Sequence, residues 1–181
     1  IAPAGWAFSI WGIIYTMLGG FVYNQNRNHA KMDSDVIYGQ VGFMFSFNMI
    51  ANALWLYLFS QDSAGFFALA MVDIVLMLIS AISILNISTH NHLNNWTENV
   101  FFRGGMSIYG GWLTTATILN VCFLLKSLGV DHGDSNEANE IFWSKAVLSV
   151  AFVIYNSYAA IERNPLYGAV FIWVLTAIKS N

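Results

Sequence analysis

The sequence predicts an all-α fold, a polytopic transmembrane bundle with six membrane helices in this segment. Two observations carry that prediction. First, six apolar stretches, Ala4–Tyr23, Val36–Ser60, Ser63–Thr89, Gly104–Leu125, Ile141–Ile161 and Pro165–Ile178, each read as helix, and Asp73 alone places a charge deep inside one. Second, the 181 residues are 57% hydrophobic and only 9% charged, where a soluble domain carries about 25% charged residues. Crossing a bilayer takes roughly 20 apolar residues. Four stretches meet that plainly, and the fifth meets it if Lys145 lies near a surface.

The first helix opens after Pro3. A polar loop, NQNRNHAKMDSD, follows it, and the second helix runs from about Val36 to Ser60. The turn Gln61–Ser63 is tight, so helices two and three form an antiparallel hairpin. HNHLNNWTEN links the third helix to the fourth. GVDHGDSNEANE precedes the fifth, with Asp134 or Ser135 as a candidate cap. Asn164 as N-cap with Pro165 at the first helical position marks the start of the sixth. Its 14 residues would cover about 21 Å, so it is either cut short or does not fully span.

Composition also excludes functions. The charge deficit argues against a soluble enzyme. With a net charge of −3 and no basic run, nucleic acid is not an expected partner. Cys122 is alone, so there is no disulfide framework. The chain opens on Ile1 without a cationic segment, which does not read as a signal peptide, and a further helix is expected upstream. Arg27, Lys31, Arg103 and Arg163 fall on one face of the bundle; Lys126, Lys145 and Lys179 fall on the other. The positive-inside rule mildly favours the first face as cytoplasmic or matrix-side. The sequon Asn95-Trp96-Thr97 lies on that face and is expected to be unused.

Polar groups in hydrocarbon are costly and usually face the bundle interior. On the second helix Asn48, Asn52, Trp55 and Phe59 share one stripe. Phe8, Trp11, Tyr15 and Leu18 share a stripe on the first, and Tyr109, Trp112, Ala116 and Asn120 share one on the fourth. A Trp-lined cavity with an amide and a carboxyl would suit a flat, mostly apolar ligand. The plain alternatives are that the Asn residues bridge helices, that Trp6, Trp96 and Trp143 anchor at interfaces, and that Asp73 is a protonated or Asn-paired structural acid. Trp11, Trp55 and Trp112 fit core packing and pocket lining equally. His90-x-His92 with Glu98 is a poor zinc signal, so no metal site is expected. Neither a Ser-His-Asp constellation nor a phosphate loop occurs, so no catalytic residues are expected. Val153-x4-Tyr158-x4-Arg163, and in reverse Arg103-x5-Tyr109-x3-Leu113, match the loose cholesterol-contact pattern. Gly19-Gly20 and Gly110-Gly111 are read as helix-packing sites.

Four segments together resemble the TspO/MBR family, the translocator or tryptophan-rich sensory proteins, and look closer to its longer tryptophan-rich branch. They are PAGWAFSIWGIIYTMLGG from Pro3, NALWLYLF at Asn52–Phe59, ALAMVDIVLML around Asp73, and IYGGWLTTATILN at Ile108–Asn120. The resemblance implies that residues 1–128 match helices two to five of the translocator core, its first helix lying upstream, and that 129–181 add two C-terminal helices. It implies a ligand site of Trp11, Tyr15, Asn52, Trp55 and Trp112, and the stripe and depth reading adds Asn48, Asp73 and Asn120 as possible polar support. The implied ligand is a porphyrin, tetrapyrrole or sterol-like molecule or a lipid, with no cofactor required. Expected partners are membrane lipids and a hydrophobic small molecule, with other membrane subunits or a second copy as further candidates. The expected location is a mitochondrial membrane in a eukaryote or the plasma membrane in a bacterium. The competing reading is a supernumerary structural subunit of a large organellar complex, respiratory or photosynthetic. Enzymatic tetrapyrrole breakdown ranks last.

Overall fold

The computed structural model describes residues 3–28, 39–61, 63–91, 96–128 and 137–180. A 3-10 helix, Gly5–Ser9, leads into α1, Ile10–Asn28. α2 is Gly42–Phe59 and α3 is Ala64–His90. A π-helical segment, Glu98–Gly104, runs into α4, Gly105–Ser127. α5 is Glu137–Ile161 and α6 is Pro165–Lys179. No strand occurs among the described residues. Five helical segments are long and apolar enough to cross a membrane, the shortest being Phe142–Ile161 and the longest Glu98–Ser127. α6 has 15 residues, about 22 Å of rise, short of a hydrocarbon core of about 30 Å.

Element ends differ from the sequence reading where polar residues extend a helix. α1 continues through Asn24–Asn28, which the sequence assigned to a loop. Side chains one turn apart satisfy that extension: Asn24 Nδ2 donates to the Gly20 carbonyl at 2.8 Å, and Arg27 donates to the Tyr23 hydroxyl at 2.7 Å. The π-helical segment before α4 is likewise helix where a loop was expected. The second span is described from residue 39, with a wide turn at 39–41 leading into α2 at Gly42, and the expected start at Val36 lies outside the described residues. The expected cap at Asp134 or Ser135, the sequon asparagine, and His29, His92 and His132 lie outside the described residues. The cap of α6 is as read: the Asn164 side chain accepts from the Tyr167 backbone N–H at 3.2 Å.

α4 is the central helix. It packs against α3, α6, α1 and, less extensively, α5, while α2 packs on α3. Its glycines permit that crowding. A Cβ on Gly111 would sit 2.9 Å from Val170 Cγ2 and 3.1 Å from the Tyr167 carbonyl oxygen, so α6 closes directly on the α4 backbone. On the other side, Cβ atoms on Gly104 and Gly105 would meet Met17 at 3.0 and 3.1 Å. Small residues are the usual means of close approach where lipid tails are as apolar as the helices.

Hydroxyls join the last two helices to this core. Thr114 pairs with Tyr167 at 2.6 Å and Thr115 with Tyr155 at 2.7 Å, and the Tyr155 hydroxyl also donates to the Gly111 carbonyl. Tyr158 donates to Asn86 Oδ1 at 2.6 Å, tying α5 to α3. The C-terminal end of α6 clasps the chain's beginning. Ala4 N–H donates to the Ala177 carbonyl at 3.1 Å, Trp6 Nε1 to Ser180 Oγ at 2.9 Å, and Trp173 Nε1 to the Ala7 carbonyl at 3.0 Å.

The glycine contacts generate a paired test. Gly111→Ala is expected to lower stability in detergent by about 1–3 kcal/mol, because the added methyl has backbone as well as side chain in its way. Gly19→Ala, which meets nothing within 4 Å, is expected to be neutral or to stabilise by up to about 1 kcal/mol through helix propensity. Parallel thermal or SDS unfolding of the two variants measures both.

Candidate functional site

The buried residues of α2 are Asn48, Ala51 and Asn52. An apolar span whose inward face carries two amides must find partners for them, because hydrocarbon offers none. The partners come from three other helices. Asn48 Nδ2 donates to the Met77 carbonyl at 2.8 Å and to Ser80 Oγ at 2.6 Å, both on α3. The Tyr109 hydroxyl of α4 donates to Asn48 Oδ1 at 2.6 Å. That same hydroxyl accepts from Asn52 Nδ2 at 3.4 Å, and Asn52 Oδ1 accepts from the Tyr15 hydroxyl of α1 at 3.1 Å. The result is a continuous polar ladder, Tyr15–Asn52–Tyr109–Asn48–Ser80, linking α1, α2, α4 and α3.

Aromatic rings cover the ladder on the α1 side. Trp11 stacks on Tyr15 with centroids 5.2 Å apart and planes 24° apart. It lies 5.9 Å from Tyr109 and meets Trp112 nearly edge-on at 6.4 Å. Phe8 meets Trp112 edge-on at 5.5 Å. Exposure is graded across the cluster: Tyr109 and Trp112 are buried, Trp11 is half-buried, and Tyr15 and Phe8 are 49% and 50% exposed. α1 and α2 each reach this cluster but make little direct contact with each other. The seam between them is bridged by the Tyr15–Asn52 hydrogen bond over a floor supplied by α4, and further along by an edge-on contact of Phe21 with Phe45 at 5.9 Å.

Of the five residues expected to line a site, the structure brings Trp11, Tyr15, Asn52 and Trp112 together. Trp55 is placed further along α2. It stacks on Phe59 at 5.0 Å, and its indole N–H donates to Asn120 Oδ1 at 3.4 Å. Trp55 and Asn120 thus belong to a second aromatic layer with Phe59, Phe67 and Phe123. Asn48 is fully buried in the ladder. Asp73 is 8% exposed, and its Oδ2 accepts no hydrogen bond.

Tyr109 is the residue the sequence reading left out of the site, although its hydroxyl joins both amides. Its place three residues before Trp112 on a shared stripe was the available signal. Burial of Tyr109 and Leu113 also removes the reverse cholesterol-contact pattern from the lipid surface. A separate groove of about 260 Å³ lies among α3, α4, α5 and α6, bounded by Leu78, Ile82, Thr114, Ile118, Tyr158 and Tyr167. The hydroxyls of its Thr114, Tyr158 and Tyr167 are already paired within the bundle. Among the described residues no three His, Cys, Asp or Glu side chains group as a metal site.

Comparison with known proteins gives a family match. A family model described as TSPO-like protein matches residues 1–181, through both C-terminal helices. No curated protein matches, and no solved structure matches.

The ladder can be tested at its hub. Tyr109→Phe keeps the ring and removes the hydroxyl that serves both Asn48 and Asn52. Interhelical hydrogen bonds in membranes contribute about 0.6 kcal/mol on average and about 1.7 at most. A loss of about 1–2 kcal/mol in SDS unfolding is expected for the two bonds together, and a loss within error of zero would mean that the ladder does not hold the helices in place.

Proposed function

The chain belongs to the TSPO-like protein family, and from that membership together with the geometry at the α1–α2 seam we propose that it binds a flat hydrophobic ligand inside the membrane. The ligand class is the porphyrin, tetrapyrrole or sterol-like kind. One observation carries the reading: Trp11, Tyr15, Tyr109, Trp112 and the Asn52 amide converge from three helices, with ring faces left partly exposed beside buried hydrogen-bonding groups. That is the composition of a small-molecule site, mostly apolar and aromatic with a few fixed polar atoms.

The graded exposure assigns roles. Trp11 and Tyr15 offer faces for stacking. Trp112 backs them, and Tyr109 holds the amides in register. Asn52 is placed to orient a ligand polar group, because its 3.4 Å bond to Tyr109 is long and readily exchanged. The reading assigns no reaction. It places the protein in a mitochondrial membrane if eukaryotic and in the plasma membrane if bacterial, with lipid and the ligand as its partners.

Offset stacking on an indole adds about 0.5–1.5 kcal/mol per contact beyond burial. Trp11→Ala is therefore expected to weaken protoporphyrin IX binding by roughly threefold to tenfold, with lost burial adding to that. Trp55→Ala, in the separate layer, should change it little. Fluorescence titration in lipid nanodiscs measures both. Absence of binding by the wild type would shift the reading to a structural subunit of a larger membrane complex.

A further inference from the structure

Asp73 is the one acid placed deep inside a span. It lies nine residues past the start of α3, about 14 Å along the helix axis, and is 8% exposed. Its Oδ2 is without a hydrogen-bond partner, and among the described residues no cation pairs with it. Among the described residues Lys145 is the cation furthest inside a helix, eight residues into α5, which packs on α4 and α6 rather than on α2. An ionisable group inside a membrane is costly and commonly marks a ligand or ion site.

Its position ties it to the aromatic seam. Asn48 of α2 reaches Met77 and Ser80 of α3, and the two helices, α2 ending at Phe59 and α3 starting at Ala64, run antiparallel. One turn forward on α2 is Asn52, and one turn back on α3 is Asp73, so the two lie at the same level. The ladder that spans the α1–α2 seam therefore has beside it a carboxyl whose Oδ2 lacks a partner.

We propose that Asp73 makes this site selective for flat aromatic ligands that carry a cationic amine, the carboxylate pairing with the ammonium while the rings of Trp11 and Tyr15 take the planar body. The inference rests on the α1–α2 seam being a ligand site, and it names the ligand chemistry at the α3 side of that site; a porphyrin held there would keep its anionic propionates away from Asp73. Two features recommend a cation. An ammonium supplies the partner the carboxyl lacks, in a charge-assisted hydrogen bond made stronger by low dielectric. Tryptophan and tyrosine faces attract a cation as well, so the lining and the acid favour the same ligand charge.

The test uses two probes with one ring system, 1-pyrenemethylamine, which is cationic at neutral pH, and its uncharged N-acetyl derivative. Binding is followed by pyrene fluorescence on the full chain in nanodiscs of zwitterionic lipid, with empty nanodiscs subtracted. The wild type should prefer the amine by about tenfold or more. Asp73→Asn should abolish that preference while leaving the N-acetyl probe bound, and Asp73→Glu should retain part of it. Trp11→Ala should weaken both probes alike. A second measurement needs no variant: the infrared band of an ionised carboxylate should grow when the amine is added and not when the N-acetyl probe is added. Equal binding of the two probes by the wild type, or a preference that survives Asp73→Asn, overturns the assignment to Asp73 and leaves the seam site standing. Failure of the wild type to bind either probe overturns both.

Discussion

Everything in this bundle depends on the rule that a polar group in hydrocarbon must find its partner inside the protein. α2 obeys it in an unusual way. Its fully buried residues are Asn48, Ala51 and Asn52, with Met44, Phe45, Met49 and Trp55 half-buried around them, so the deepest part of its inward face is amide rather than apolar. The two amides have to meet donors and acceptors on α1, α3 and α4, and the Tyr109 hydroxyl meets both. A rotation of α2 by one residue would turn Asn48 away from Met77 and Ser80 and leave an amide unpaired. The ladder therefore fixes register as well as adhesion, a role well attested for single polar residues in helix pairs.

α4 makes the ladder possible. Half of its span is buried, and it presents different chemistry on each side. Gly104 and Gly105 admit α1, Gly111 admits α6, and Tyr109 and Trp112 face the seam. Thr114 and Thr115 reach the tyrosines of α6 and α5. Because α4 is held by close packing and hydrogen bonds on its α6 side and by close packing on its α1 side, the seam between α1 and α2 can remain lightly packed without loosening the bundle. The clasp between α6 and the N-terminal 3-10 helix holds the base of α1, which keeps Trp11 and Tyr15 over Tyr109.

Much of this was legible in the sequence. The six helices follow from hydropathy, the α6 start from Asn164-Pro165, and the inward face of α2 from the four-residue spacing of its asparagines. What the sequence did not mark has physical reasons. Tyr109, Tyr155 and Tyr167 read as apolar residues within apolar spans, and only folding shows where their hydroxyls go. The π-helical run at Glu98–Gly104 has no mark in composition or periodicity. The clasp joins residues more than 160 positions apart, beyond any local pattern. Trp55 shares a stripe with Asn52, yet the rise of α2 carries it to the layer of Phe59 and Asn120. Equal periodicity does not mean equal depth.

The central claim is that the seam over Tyr109 is where a flat ligand sits. Photolabelling tests it most directly: a diazirine-bearing planar probe is irradiated with the protein in nanodiscs, and the labelled peptides are mapped by mass spectrometry. The account predicts labels concentrated on the α1 stretch around Trp11 and Tyr15 and on α2 near Asn52, reduced by an excess of unlabelled protoporphyrin IX. Labels confined to the groove among Leu78, Ile118 and Tyr158, or spread over the lipid-facing sides without competition, would contradict it.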